Sequence, residues 1–169
     1  MSALPVPARL LSDRACQRID REVAKYPPEK KQSAVMAALA VAQDDLGWLS
    51  AEAIEQVAAY LDMPPIAAHE VATFYGMYNT RKPGKFKLAV CTCLPCELRD
   101  GAKAGEYLKQ KLAIDYGETT ADGLFTLKES ECLGACGDSP VLLVNNKRMC
   151  SFMSNERLDA LLADLKSQA

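Results

Sequence analysis

The sequence lacks the features that mark membrane, secreted or histidine-dependent proteins. It contains no run of 18 apolar residues, so we predict no membrane-spanning helix. Residues 1–11 lack a basic start followed by an apolar core, so we expect no signal peptide and a cytoplasmic location. His69 is the only histidine, and we expect it to be a packed or surface residue rather than a ligand.

Two further absences concern nucleic acids and nucleotides. The 20 basic and 22 acidic residues give a net charge of −2, whereas a nucleic-acid-binding protein normally carries a basic face. Neither a G-x-G-x-x-G motif nor a P-loop occurs. We therefore predict no nucleic-acid partner and no motif-based nucleotide site in this chain.

Cysteine, by contrast, is well represented, with seven residues. Without a secretion signal, these residues are better interpreted as metal-binding or redox thiols than as a disulfide framework. Four of them form two pairs, Cys91-x4-Cys96 and Cys132-x3-Cys136. Four thiolates from two loops suit a soft metal centre, either zinc or an iron–sulfur cluster. We expect Cys16 and Cys150 to be plain small side chains.

Two alternatives remain open at this point. A zinc module is less favoured, because the flanking segments have hydrophobic patterns that can fold unaided and the x4 and x3 loops are wide for zinc knuckles. Thiol–disulfide exchange is the stronger competitor, since Cys93 and Cys96 form a C-x-x-C at a predicted helix N-terminus, where a thiol becomes more reactive. That alternative leaves Cys91, Cys132 and Cys136 without a role.

The first half of the chain predicts a helical domain over residues 10–80, preceded by a flexible tail at residues 1–9. Apolar residues recur there at helical spacing, with paired prolines and Gly47 at the ends of segments. The predicted helices run approximately over residues 12–26, 29–46, 51–61 and 66–78. The aromatic segment 73–78 has two interpretations of equal weight, a core element or a docking surface for a partner.

A polar segment with proline and glycine, residues 79–85, is the predicted boundary. Residues 86–169 then predict an α/β domain in the order strand, helix, three strands and helix. The first of these helices is predicted from Pro95 to about Leu112, with Leu98 facing inward. A thiol pair at the first strand-to-helix junction and Pro140 before a central strand are typical of a thioredoxin-like fold, in which we expect Pro140 to be cis. The fold class is therefore α+β, with a helical bundle followed by a thioredoxin-like domain.

Three segments around the cysteines, and three in the helical half, resemble one family closely. That family is the thioredoxin-like [2Fe–2S] subunit, designated E, of NADH:quinone oxidoreductase (respiratory complex I). The resemblance extends from about residue 15 to residue 165. The segments that carry it are Val90-Cys91-Thr92-x-x-Pro95-Cys96, residues 117–127, Glu131-Cys132-Leu133-Gly134-Ala135-Cys136, Ser33-Ala34-Val35, Gly47-Trp48-Leu49 and Glu70-Val71-Ala72-Thr73-Phe74-Tyr75.

The resemblance implies a ligand set and a role. Cys91, Cys96, Cys132 and Cys136 would ligate a [2Fe–2S] cluster that accepts one electron at a time from the FMN of a partner flavoprotein, which would also bind NADH. Cys93 stands where the family usually has another residue. Equivalent subunits of NAD-dependent formate dehydrogenase and NAD-reducing hydrogenase share this module and are the nearest alternatives. The chain would be peripheral to the inner membrane through its complex.

Small residues in the second cysteine loop predict a way of tuning the cluster. Gly134, Ala135 and Gly137 are small enough for backbone N–H groups to approach the ligand sulfurs. Such hydrogen bonds shift the reduction potential of iron–sulfur clusters. The alternative is that the glycines serve only the conformation of the turn.

Overall fold

The computed structural model describes residues 10–168, and these fall into two compact units divided between Lys82 and Pro83. The predicted tail at residues 1–9 lies outside the described residues. Among the helices of residues 10–168, none is long and apolar enough to cross a bilayer. Each unit is built around its own hydrophobic core.

The first unit consists of four α-helices and one 3₁₀ segment. Ser12 and Ser50 cap the first and third helices by accepting hydrogen bonds from backbone N–H groups, as their positions before apolar runs indicate. Gly47 ends the second helix with φ +84°, the left-handed conformation that favours glycine. The helices are α1 (Asp13–Val23), α2 (Val35–Leu46), α3 (Ala51–Tyr60) and α4 (Pro65–Phe74), with the 3₁₀ segment at Pro28–Ala34.

The predicted helices of this unit run past the observed ones, and the first, predicted over residues 12–26, ends at Val23. Two others differ at one end by four or more residues. The predicted helix 29–46 begins as a 3₁₀ segment, because Lys30 has non-helical angles just after the two prolines. The predicted helix 66–78 ends at Phe74, since Tyr75 is extended. Tyr78 nevertheless reaches the core, where its hydroxyl donates a hydrogen bond to the carbonyl oxygen of Met36 at 2.7 Å.

The second unit has a four-stranded sheet in the order β2-β1-β3-β4. Strand β1 pairs in parallel with β2 and antiparallel with β3, which forms a hairpin with β4. One face of the sheet packs on two helices through side chains such as Leu88, Leu127, Leu108 and Leu158. The elements are β1 (Phe86–Cys91), α5 (Leu94–Glu97), α6 (Gly101–Leu112), β2 (Phe125–Ser130), β3 (Leu142–Val144), β4 (Arg148–Cys150) and α7 (Asn155–Ser167).

The structure confirms the α+β plan and corrects one helix in it. The predicted helix from Pro95 to Leu112 is broken, because Asp100 adopts the left-handed conformation between α5 and α6. Leu98, predicted to face inward, is instead 79% exposed at this break. The Ser139–Pro140 peptide bond is cis, as predicted.

Candidate metal centre

The parallel pairing of β1 and β2 brings the two cysteine loops together. Cys91 is the last residue of β1, and it lies in register with Ser130, the last residue of β2. Both strands end at the same edge of the sheet, and the second cysteine loop begins within two residues of Ser130. The Thr92 N–H donates to the Ser130 carbonyl at 3.1 Å and holds the two loop starts side by side.

The thiols gather in a small cluster of their own at this edge. Cys91, Cys96 and Val141 form its buried centre, with the two cysteines only 2% and 1% exposed. Cys93 packs against that centre and is half-buried. Cys136 is also half-buried, whereas Cys132 is exposed. One side of the thiol cluster is therefore closed by protein and the other side is open to solvent.

Electrostatic contacts show which thiols face one another. Burial raises the pKa of Cys96, and the neighbouring thiols of Cys91 and Cys136 raise it further. A hydrogen bond from Ser139 lowers the pKa but does not offset these effects. Burial also raises the pKa of Cys136, as does the neighbouring thiol of Cys132. Thiols that raise one another's pKa resist ionising together unless a cation neutralises them. A metal centre that replaces the protons removes this repulsion, because metals bind the thiolate form.

Cys91 is the exception among these thiols. Burial alone would raise its pKa, but the backbone N–H groups of Cys93 and Leu133, with the thiols of Cys96 and Cys93, hold the pKa of Cys91 below its ordinary value. Hydrogen bonds to the charged form of a group stabilise that form. The surroundings of Cys91 therefore favour the thiolate, the form in which cysteine binds metals, more than those of Cys96 and Cys136 do.

The second loop also directs a backbone N–H group at a cysteine sulfur. The Gly134 N–H donates to the Cys132 sulfur at 3.4 Å. Gly134 has φ +73°, and no atom lies within 4 Å of the position that a Cβ would take. The glycine is thus required for its backbone conformation rather than for space. The predicted approach of N–H groups to sulfur is confirmed at Gly134, and for Ala135 and Gly137 it stays a prediction.

The donor set fits a two-iron cluster. Such a cluster takes four thiolates, two for each iron, and the structure pairs Cys91 with Cys96 and Cys132 with Cys136. Within residues 10–168, no three His, Cys, Asp or Glu side chains are arranged to hold a single metal ion. Backbone N–H groups aimed at sulfur from both loops are the surroundings that iron–sulfur centres use.

The thiol of Cys93 faces the other loop rather than Cys96. It hydrogen-bonds the Cys132 thiol and also lies beside Cys91. A C-x-x-C redox pair requires the first and last thiols to face each other, whereas Cys96 faces Cys91 and Ser139. The geometry therefore gives no support to the thiol–disulfide alternative. Ser139 was not predicted as part of the site, and its only sequence signal is its place before Pro140.

The remaining residues singled out in the sequence lie away from these thiols. Cys16 is buried in the core of the first unit, and Cys150 packs against the core of the second. His69 is half-buried on α4. The aromatic segment 73–78 has residues of both kinds. Tyr78 is buried in the core, as one interpretation predicts, whereas Phe74 is 80% exposed. A docking role for Phe74 stays a prediction.

Comparisons with known proteins show what this chain is similar to. The model of the thioredoxin-like [2Fe-2S] ferredoxin family matches residues 19–166. The E subunit of NADH-quinone oxidoreductase from Rickettsia prowazekii is 49% identical over 125 residues, which cover 73% of this chain and 71% of that protein. NADH-quinone oxidoreductase subunit 2 of Thermus thermophilus is 38% identical over 149 residues, or 88% of this chain and 82% of that protein.

A solved structure shows the same fold. The air-oxidised NAD⁺-reducing [NiFe]-hydrogenase superposes with a TM-score of 0.67 at 25% identity, over 79% of this chain. This chain spans 23% of that hydrogenase chain. The likeness is thus to one module of a larger protein, and the thioredoxin-like prediction for the second unit is confirmed.

Proposed function

The chain belongs to the thioredoxin-like [2Fe-2S] ferredoxin family, and on that basis we propose that it is the electron-transferring E subunit of an NADH-quinone oxidoreductase. It carries a [2Fe–2S] cluster that accepts one electron at a time from the FMN of a partner flavoprotein subunit. Two relatives, 38% and 49% identical over most of their length, are named as subunits of this oxidoreductase. The chain has no complete active site of its own and works as part of an oxidoreductase complex.

We assign Cys91, Cys96, Cys132 and Cys136 as the cluster ligands. The observation that carries this assignment is the meeting of two thiol pairs at the carboxyl ends of the parallel strands β1 and β2. Each pair comes from one loop, and each loop also supplies a backbone N–H group to a sulfur. When bound, the cluster supplies one-electron oxidation and reduction.

The protein around the thiols has two tasks. The buried Cys91 and Cys96, packed against Val141, exclude water from the inner side of the site. The exposed Cys132 leaves the outer side accessible, so a redox partner approaches from there. Hydrogen bonds from the Leu133 and Gly134 N–H groups stabilise negative charge on sulfur and tune the reduction potential.

The partner provides the nucleotide chemistry. Because the chain has neither of the two common glycine-rich nucleotide motifs, NADH and FMN bind on the flavoprotein partner. Within the complex, this chain lies on the cytoplasmic side of the inner membrane as a peripheral component. The exposed Phe74 is a candidate contact in that assembly.

A second candidate function is the equivalent subunit of an NAD⁺-reducing hydrogenase. The hydrogenase chain with a TM-score of 0.67 favours it. Both functions use the same cluster module, so they differ only in the partner that receives or delivers electrons.

The decisive experiment is metal analysis and electron paramagnetic resonance (EPR) on the anaerobically purified chain. We expect about two irons and two acid-labile sulfides per chain, with a one-electron signal after dithionite reduction. Cys16→Ala and Cys150→Ala serve as controls, and each should keep the iron and sulfide contents of the unsubstituted chain. Zinc without sulfide, or no metal with a titratable dithiol, would refute the proposal. Copurification from the native host with NADH:quinone activity, or with hydrogenase activity, decides between the two complexes.

A further inference from the structure

Five thiols, rather than four, converge on the candidate metal centre. The fifth is Cys93, which packs against the buried centre of the thiol cluster. Its two thiol neighbours belong to different loops, because it hydrogen-bonds Cys132 and lies beside Cys91. The side chain therefore stands between one assigned ligand of each pair.

The local backbone differs between Cys93 and the more deeply placed ligands. Cys91 is held in a strand, Cys96 in a helix and Cys136 in a 3₁₀ turn. Cys132 lies in an irregular loop segment, whereas Cys93 is the N-cap of α5 and precedes its first helical residue. Both side chains have solvent on one side, which leaves room for a change of side-chain rotamer.

We propose that Cys93 is an alternate cluster ligand, able to take the place of either Cys91 or Cys132. The proposal rests on the function proposed above, since it requires a [2Fe–2S] cluster at this site. The exchange changes no oxidation state. One iron–sulfur bond to Cys91 or Cys132 breaks and one to Cys93 forms, while the proton that Cys93 loses is balanced by one that the departing thiolate gains.

The geometry makes the exchange specific for position. Cys93 faces Cys91 and Cys132, so it can replace those two ligands. Cys96 is buried in α5, where it faces Ser139, Cys91 and Cys136. The thiol neighbours of Cys93 are Cys132 and Cys91 rather than Cys96. Cys93 should therefore not restore the cluster when Cys96 or Cys136 is substituted. These two positions are matched controls for Cys91 and Cys132.

The test uses the full-length chain, reconstituted anaerobically with iron and sulfide. We expect Cys91→Ala and Cys132→Ala to retain about two irons and two sulfides per chain, with an altered EPR spectrum after reduction. Adding Cys93→Ser to either variant should abolish the cluster, as should Cys96→Ala or Cys136→Ala alone. Cys93→Ser alone should bind a full cluster with an unchanged spectrum.

Two results would overturn the proposal while leaving the proposed function intact. One is loss of the cluster from both Cys91→Ala and Cys132→Ala, in chains that circular dichroism shows to be folded. The other is retention that persists when Cys93→Ser is added. If Cys91→Ala proves unfolded, Cys132→Ala decides alone, because the exposed Cys132 belongs to no strand or helix. A wild-type chain without cluster would instead refute the proposed function itself.

Discussion

The turn that carries Cys96 is packed against Gly101, the first residue of α6. A Cβ added at Gly101 would lie 2.8 Å from the Cys96 carbonyl oxygen, 2.9 Å from its carbonyl carbon and 3.1 Å from its Cβ. Ordinary contact begins at 3.4 Å, and the first two of these atoms belong to the backbone, so they have no rotamer to change. Gly101→Ala must therefore push the backbone of Cys96, which we propose as a cluster ligand.

The magnitude follows from two opposing effects. Overpacking of a close-packed site costs about 1–3 kcal/mol, while alanine is favoured over glycine in a helix by at most about 1 kcal/mol. Subtracting the full helix gain from the overpacking cost leaves a net loss of roughly 0–2 kcal/mol in the free energy of unfolding. For a unit of this size each 1 kcal/mol lowers the Tm by about 4–8 °C.

Gly84 provides the matched control. A Cβ there would lie 2.8 Å from the Gly123 carbonyl oxygen and 3.0 Å from the Leu124 carbonyl carbon, a comparable clash at the other end of β1. We expect Gly84→Ala to lower the Tm to a similar extent without disturbing the cysteine loops. Gly101→Ala alone should speed the release of iron to a chelator and alter the EPR spectrum of the reduced cluster.

The assay compares iron release from the two variants at temperatures equally far below their own Tm values. This correction removes the effect of global stability on release. Equal rates for Gly101→Ala and Gly84→Ala would refute the coupling between Gly101 and the cluster ligand. A Gly101→Ala chain with unchanged Tm would show that the Cys96 turn has room to yield.

Two further predictions concern the two cores. Burial, together with Lys128, lowers the pKa of Lys87 to about 8. Between pH 8 and about 10.4 the unfolded chain binds more protons, so stability rises with pH by at most about 3 kcal/mol. Lys87→Met should remove that rise in the free energy of unfolding, measured by urea denaturation across this pH range. An unchanged dependence of the unfolding free energy on pH would contradict the prediction. Tyr78→Phe removes the hydrogen bond that the buried Tyr78 hydroxyl donates to the Met36 carbonyl and should cost the helical unit about 1 kcal/mol. The exposed Tyr26→Phe is the control, and an equal loss there would refute the role of this hydrogen bond.

Much of the site was predictable from local sequence. The two cysteine spacings and the serine caps of helices are encoded within a few residues. An alternation of apolar residues over 86–90 likewise predicts β1, although the structure buries every residue of that strand. These signals depend only on residues close in sequence, through side-chain periodicity and capping of backbone N–H groups. The family resemblance added the assignment of four ligands, which the residues alone left open among three chemistries.

Other features depended on contacts between distant residues. The break at Asp100 left Leu98 exposed although helical spacing placed it inward. The helical period marks which residues share a face, but it carries no information on where the tertiary structure ends a helix. In the same way, the aromatic segment 73–78 looked uniform, yet Tyr78 is buried and Phe74 is exposed.

The sequence by itself determined that two thiol pairs follow two strands, and that their composition suits a soft metal. Only the tertiary structure decided which thiols face one another. The parallel register of Cys91 with Ser130 places the loops together, and that register depends on both strands and on the core beneath them. The orientation of Cys93 toward Cys132 instead of Cys96 follows from this arrangement. No spacing within either loop encodes it, because the two residues are 39 positions apart in the chain.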